Sequence, residues 1–257
     1  MLTSPTIQGL RELKLDVMAS SLEEQRSNSH YDGLSFEDRL GLLVDQEVTE
    51  RKNRRLRRLL QVAKLRSNAI IEDIDFKSSR GLDRSNVLTL AQSHWVTEHH
   101  SILVTGPTGV GKTYLACALA NSAIRHGHSA LYVRAPRLFE DIAIARADGR
   151  LVKYMASLAR TEVLVIDDLF LRPLDLQQAA DLLEVVEDRH QLRSTIAGAQ
   201  LPLAHWHEAI GDATIADAVL DRLLHNAHRI TLSGESLRQS DVAVKKRRSR
   251  GVEDASS

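Results

Sequence analysis

The sequence predicts an α/β protein in which a parallel sheet is flanked by helices and preceded by a small all-helical N-terminal domain. Three observations carry that prediction. Short apolar runs rich in β-branched residues alternate with helical stretches from Ser101 onward, the pattern of a parallel sheet covered on both faces. A glycine-rich turn, Gly106 to Thr113, joins the first of those runs to a helix. The first 70 residues carry helical periodicity and no strand-like run.

The elements follow in order. Residues 5 to 26 and 35 to 67 read as helices, with a loop at Ser27 to Gly33. In the second helix Phe36, Leu40, Leu43, Val44 and Val48 form an apolar stripe behind a Ser35-x-x-Asp38 cap, and Leu56, Leu59, Leu60 and Ala63 continue it. From Glu72 to Asn86 the chain turns polar and irregular, as a surface connector does. Ser101 to Thr105 is a strand and Lys112 to His126 a helix. Ala130 to Val133 is the next strand, Leu138 to Ala147 a helix, and Val163 to Ile166 a buried strand that ends in Asp167-Asp168. Leu176 to His190 is helical, Ser194 to Ala197 a strand, Thr214 to His228 a helix and Arg229 to Leu232 the last strand. The boundaries drawn from this are a helical domain over 1–70 for DNA contact or self-association, a connector and start of the core over 71–100, the main α/β domain over 101–240, and a basic tail over 241–257, expected to be peripheral or disordered.

A chain of 257 residues is long enough for one large α/β core plus an appendage. Basic and acidic residues balance at 34 each, so net charge is silent about partners, but its distribution is not. Arg51 to Arg66 holds eight basic residues and no acidic one, whereas Glu162 to Asp188 holds eight acidic residues against Arg172 alone. The single cysteine, Cys117, excludes an internal disulfide and a multi-cysteine metal site, and its apolar surroundings Leu115 to Ala120 predict a buried small side chain. No N-terminal apolar stretch resembles a signal peptide or a membrane span, so a cytoplasmic protein without a membrane partner is expected.

Gly106-Pro107-Thr108-Gly109-Val110-Gly111-Lys112-Thr113 fits G-x-x-x-x-G-K-[ST] at every fixed position and stands between a strand and a helix, the context this phosphate loop needs. Glycines let the backbone curl so that its N–H groups face a phosphate, and the N-terminus of the following helix adds to the field. Lys112 is then placed for the β and γ phosphates of ATP and the Thr113 hydroxyl for Mg2+. Hydrolysis also needs a carboxylate-bearing strand. Val163-Leu-Val-Ile-Asp167-Asp168 supplies it, with Asp167 assigned to the metal and Asp168 to the attacking water; the competing reading is a pair of acids that caps the next helix. Arg222, on a predicted helix, is either an arginine finger or the partner of Asp217 or Asp221 in a surface ion pair.

The run Arg51-Lys52-Asn-Arg54-Arg55-Leu-Arg57-Arg58 places several cations on one helix, each able to release a counterion from a DNA backbone. No aromatic interleaves them, so base stacking is not indicated. The rival readings are a solvated face and pairing with the acidic middle of a neighbouring subunit. His205-Trp-His207 and His225-Asn-Ala-His228 lack the partners of a zinc site.

These residues resemble the IstB transposition helper ATPases, relatives of the DnaC helicase loaders within the AAA+ class. The resemblance rests on Arg39-Leu-Gly-Leu-Leu-Val-Asp45, Thr49-Glu-Arg-Lys-Asn-Arg-Arg-Leu56, Glu72-Asp-Ile-Asp-Phe76, Arg80-Gly-Leu-Asp83, the Gly106 to Thr113 loop, Asp221-Arg-Leu-Leu-His225 and Gly234-Glu-Ser236. It implies a P-loop AAA+ ATPase core behind the helical domain, ATP-dependent assembly of a homo-oligomeric ring or spiral on duplex DNA, and recruitment of a partner transposase. It also implies that Arg222 acts in trans on a neighbour's ATP, that Arg238 serves as a second sensor arginine, and that Arg146, Arg150 and Lys153 lie near a DNA-contacting helical insertion. Two departures stand out. A polar sensor Asn is expected after Ser194-Thr-Ile, where this chain reads Ala-Gly-Ala-Gln200, leaving Gln200 as the substitute; and Asp168 stands where many AAA+ enzymes have Glu. The alternatives are a DnaC-like helicase loader and an adaptor that binds ATP with little hydrolysis.

Overall fold

The computed structural model describes residues 5–76, 81–234 and 236. Arg80, Arg238 and the tail with Lys245 lie outside the described residues. By its internal contacts the chain divides into two units, Met1–Arg58 and Leu59–Ser257.

The first unit holds α1 (Pro5–Glu12), α2 (Asp16–Ser27) and most of α3 (Phe36–Ala63), which runs on into the second. The single helix predicted over 5–26 is two. Lys14 takes a left-handed φ of 59°, and Leu15 N–H and Lys14 N–H donate to the Leu10 and Arg11 carbonyls in a Schellman-type ending. A lysine where glycine is usual gave no warning of the break. The start of α2 has no side-chain cap of its own. Glu47, reaching from α3, accepts from Val17 N–H and Met18 N–H at 3.1 Å each and so caps it from outside the helix. The predicted stripe on α3 is mostly outward: Leu43 is 6% exposed, but Phe36 is 73% and Leu40, Val44 and Val48 are each about 40% exposed. Two short helices do not cover both sides of a long third one.

The second unit is a five-stranded parallel sheet in the order β2-β3-β4-β1-β5, made of β1 (Ser101–Thr105), β2 (Ala130–Arg134), β3 (Val163–Leu169), β4 (Ser194–Ala199) and β5 (Ala227–Thr231). Ile102 pairs with Ile196 and His228, and Val165 with Ile196 and Tyr132. The central strands are continuous apolar runs because helices cover both faces. These helices are α4 (Arg84–Ala91), α5 (His94–Thr97), α6 (Lys112–Arg125), α7 (Ala135–Ala147), α8 (Leu151–Arg160), α9 (Leu176–Glu187), α10 (Trp206–Ile210) and α11 (Ala213–Leu224). Cys117 is fully buried on α6, and burial raises its thiol pKa.

Several elements depart from expectation. α4 and α8 were missed, although Asp83 caps α4 through Ser85 N–H at 2.9 Å and α8 has apolar residues at Leu151, Tyr154, Met155 and Leu158. The last helix ends at Leu224 and β5 begins at Ala227, so His225 and His228 do not share a helix. Pairing of Ser101 with Ala227 along β1 extends the strand backwards, and Asn226, with φ 55°, makes the turn. β3 continues past Ile166 to Leu169 through a register shift, with Asp168 at φ 57°. That bulge turns the two neighbouring carboxylates in different directions.

Candidate functional site

The loop residues Gly106, Pro107, Thr108, Gly109, Val110, Gly111, Lys112 and Thr113 lie between the last residue of β1 and the first turn of α6. Gly106 has φ 145°, and a Cβ there would meet the Leu232 carbonyl oxygen at 2.2 Å, so only glycine lets the chain leave β1 in this direction. Lys112 is buried, with Nζ donating to the Gly106 and Pro107 carbonyls at 2.6 and 2.7 Å. Burial pulls its pKa down, while Asp167 and Asp168 oppose that shift.

Asp167 is 1% exposed on β3. Its Oδ2 accepts from Thr113 Oγ1 at 2.6 Å and from Tyr132 Oη at 2.8 Å, and among the described residues its buried Oδ1 has no hydrogen-bond donor. A Cβ on Gly198 of β4 would come within 2.7 Å of that Oδ1. Burial, followed by Asp167, raises the Tyr132 pKa, so the phenol stays a donor. Asp168 points into the cleft, where Arg134 Nε at the end of β2 donates to its Oδ2 at 2.7 Å and Arg66 Nη1 lies 3.8 Å away. Gln200, just past β4, accepts from Thr108 Oγ1 at 2.7 Å and so stands over the loop. The cleft framed by Arg66, Thr108, Lys112, Arg134, Asp168 and Gln200 has a volume of about 470 Å³, the size of small-molecule sites. Two acids, a buried lysine, a hydroxyl and a helix N-terminus meet there, a set suited to a polyphosphate and a hard divalent cation.

Arg222 is elsewhere. It lies on α11 with Nη1 donating to the Ala218 carbonyl at 2.9 Å and its guanidinium paired with Glu187 of α9, not with Asp217 or Asp221. Beside it run Ser101, Thr195 and Asn226, which mark the edge of the sheet where strands begin. The phosphate loop is at the opposite edge.

The basic residues of α3 differ in their ties. Arg51 donates to Glu47 at 2.8 Å and to the Lys14 carbonyl at 3.1 Å, so it braces the cap of α2. Arg54 and Arg57 both reach Glu50, while Lys52, Arg55 and Arg58 are exposed on the same helix. Arg146 pairs with Asp181, whose carboxylate is buried and also held by Gln177, which ties α7 to α9. Arg150 pairs with Asp148, and Lys153 is exposed on α8.

The family described as IstB-like ATP binding protein matches residues 8–245. This chain belongs to that family. A relative from Sinorhizobium fredii, named as an insertion sequence ATP-binding protein, is 48% identical over 240 residues, covering 93% of this chain and 98% of its own. Another, from Pseudomonas aeruginosa and named for insertion sequence IS21 and ATP binding, is 30% identical over 243 residues, covering 95% of this chain and 90% of its own. Among solved structures the DnaC helicase loader superposes with a TM-score of 0.56 at 18% identity over 66% of this chain and 99% of that one. The replication initiator DnaA bound to AMPPCP and single-stranded DNA gives 0.55 at 14% identity, over 67% and 52%. The second unit of this IstB-like protein thus has the P-loop AAA+ fold.

Sequence reasoning did not find Arg66, Tyr132, Arg134 or Gly198. Arg66 was counted only as charge, and Arg134 is one residue beyond the strand drawn at Ala130 to Val133. The proximity of Tyr132, Arg134 and Gly198 to the carboxylates depends on β2 and β4 both flanking β3. Among the described residues no helix is long and apolar enough to cross a membrane.

Proposed function

We propose that this IstB-like protein binds ATP with Mg2+ in the cleft between β1, β3 and α6, hydrolyses it to ADP and phosphate, and uses the nucleotide to assemble as a homo-oligomer on duplex DNA, where it recruits a partner transposase. One observation carries the nucleotide part. Thr113 and Asp167 are hydrogen-bonded at 2.6 Å while Asp167 keeps a buried, donor-free oxygen, which is the hard-oxygen pair a magnesium ion needs beside a phosphate loop. The family description and the relatives' names support ATP and an insertion-sequence setting; DNA, oligomer and transposase are our extension of them.

When bound, Mg2+ would neutralise charge between the β and γ phosphates. The chain's residues supply the rest. Lys112 exchanges two loop carbonyls for β and γ oxygens, and Gly106 to Gly111 turn their amides toward the β phosphate. Asp168 accepts the proton of a water that attacks the γ phosphorus as the bond to ADP breaks. Gln200 helps to aim that water, and Arg222 reaches the γ phosphate of a neighbouring copy. Lys52, Arg54, Arg55, Arg57 and Arg58, with Arg150 and Lys153, would meet phosphates of the duplex; Arg51 and Arg146 would do so only by giving up Glu47 and Asp181.

A test of the loop assignment is Lys112→Ala, for which isothermal titration should show tight ATP binding lost in a folded protein. Undiminished affinity would remove the basis of the proposal. A low-turnover adaptor is a second reading, favoured by the engagement of Asp168 with Arg134 and of Gln200 with Thr108. Phosphate release with and without duplex DNA separates the two, since only the first reading expects stimulation.

A further inference from the structure

At the strand-starting edge of the sheet three guanidiniums, those of Arg189, Arg193 and Arg222, line one cavity of about 60 Å³. Their charges are poorly matched. Arg189 is 1% exposed and spends its donors on neutral oxygens: Thr195 Oγ1 at 3.1 Å, the Thr161 carbonyl at 2.8 Å, and the Leu158, Glu162 and Ser194 carbonyls. Burial, and then Arg193, pull its pKa down to about 9. Among the described residues the Arg193 guanidinium donates to the adjacent Leu192 carbonyl at 2.7 Å, and its Nε is buried with no hydrogen-bond partner. Among the described residues neither arginine has a carboxylate within ion-pair distance. Glu187 is already on Arg222, and Glu98, which lines the cavity, lies 3.5 Å from His100.

Like charges held together with a buried unpaired donor are destabilising unless an anion joins them. The cavity holds a few waters or one tetrahedral oxyanion, and it is too small for a nucleoside. Five residues of β1 separate it from the phosphate loop, roughly 13 Å, so the arginines cannot serve the nucleotide of their own chain.

We infer that Arg193 and Arg222 form an acceptor for a single phosphoryl group, and that its source is the γ phosphate of ATP held by a second copy. The inference rests on the in-trans reading of Arg222 and adds Arg193 as a second cation, with Glu187 the carboxylate that the phosphate displaces. Planar guanidinium forks suit two adjacent oxygens of such a group.

Two arms test it. In a Lys112→Ala background, which removes the cation of the loop, inorganic phosphate at matched ionic strength with chloride should raise the melting temperature; adding Arg193→Gln should abolish the rise and Arg193→Lys should keep part of it. A rise indifferent to Arg193 overturns the site. In the second arm Arg193→Gln should retain ATP affinity but lose at least about tenfold in turnover, and mixing it with Lys112→Ala should restore activity, because each copy then supplies what the other lacks. Phosphate stabilisation without restoration would overturn the neighbour's ATP as the source and leave free or DNA phosphate. If wild-type protein hydrolyses no ATP at all, the hydrolysis reading fails, and the phosphate arm still decides the fate of the site.

Discussion

At the scale of single residues, two carboxylates adjacent in sequence have separate environments. Asp167 is buried between Thr113 and Tyr132, whereas Asp168, at φ 57°, faces the cleft with Arg134 and Arg66. Asp168→Asn should preserve ATP-bound oligomers yet stop phosphate release; persistent release would assign the water to another group. Gly198→Ala is the sharper probe of Asp167. Its Cβ would press within 2.7 Å of Oδ1, and the magnesium-dependent part of ATP affinity should fall about 10- to 100-fold, as for other groups that orient a metal ligand. Titrations with and without magnesium measure it, and an unchanged difference between them would detach Asp167 from the metal. The loop itself was legible because its eight residues are contiguous. Tyr132, Arg134 and Gly198 were not, since each belongs to a strand laid beside β3 only by the sheet order.

At the scale of elements, α3 has two tasks on one helix. Glu47 caps α2 with Arg51 as its partner, and Glu47→Ala should lower stability by about 1–2 kcal/mol in urea unfolding. Its pKa is lowered chiefly by the hydrogen bond from Arg51. A lowered folded value means the carboxylate's contribution is complete above the ordinary glutamate range, near pH 4.3, and fades as pH falls through the folded value. Urea midpoints of wild type and Glu47→Ala should therefore converge in acid. Arg54, Arg55 and Arg58 changed together to Ala should weaken DNA binding for every sequence alike and flatten its salt dependence. An unaltered slope would place the DNA surface on another element. The helix was readable from its period, but which of its faces is buried was not: Phe36, Leu40, Val44 and Val48 have the spacing of a core stripe, and what covers a stripe is decided by other helices.

At the scale of the whole molecule, Arg222 and the phosphate loop lie at opposite ends of β1, so under the hydrolysis proposed above a lone copy would be an incomplete enzyme. Negatively stained images with ATP and duplex DNA should show rings or short spirals, and monomers under the same conditions would rule out the proposed assembly on DNA. By itself the sequence determined the parallel α/β core, the phosphate loop and its carboxylate strand, because those signals are local: a period, a contiguous motif, an apolar run ending in acids. Only the tertiary structure decided that β3 bulges to part Asp167 from Asp168, that Arg134 and Tyr132 hold them, that Arg51 and Arg146 serve internal carboxylates, and that Arg193 joins Arg222. Those partners are distant along the chain, and charge or hydrogen bonding between them exists only once folding has brought the strands and helices into contact.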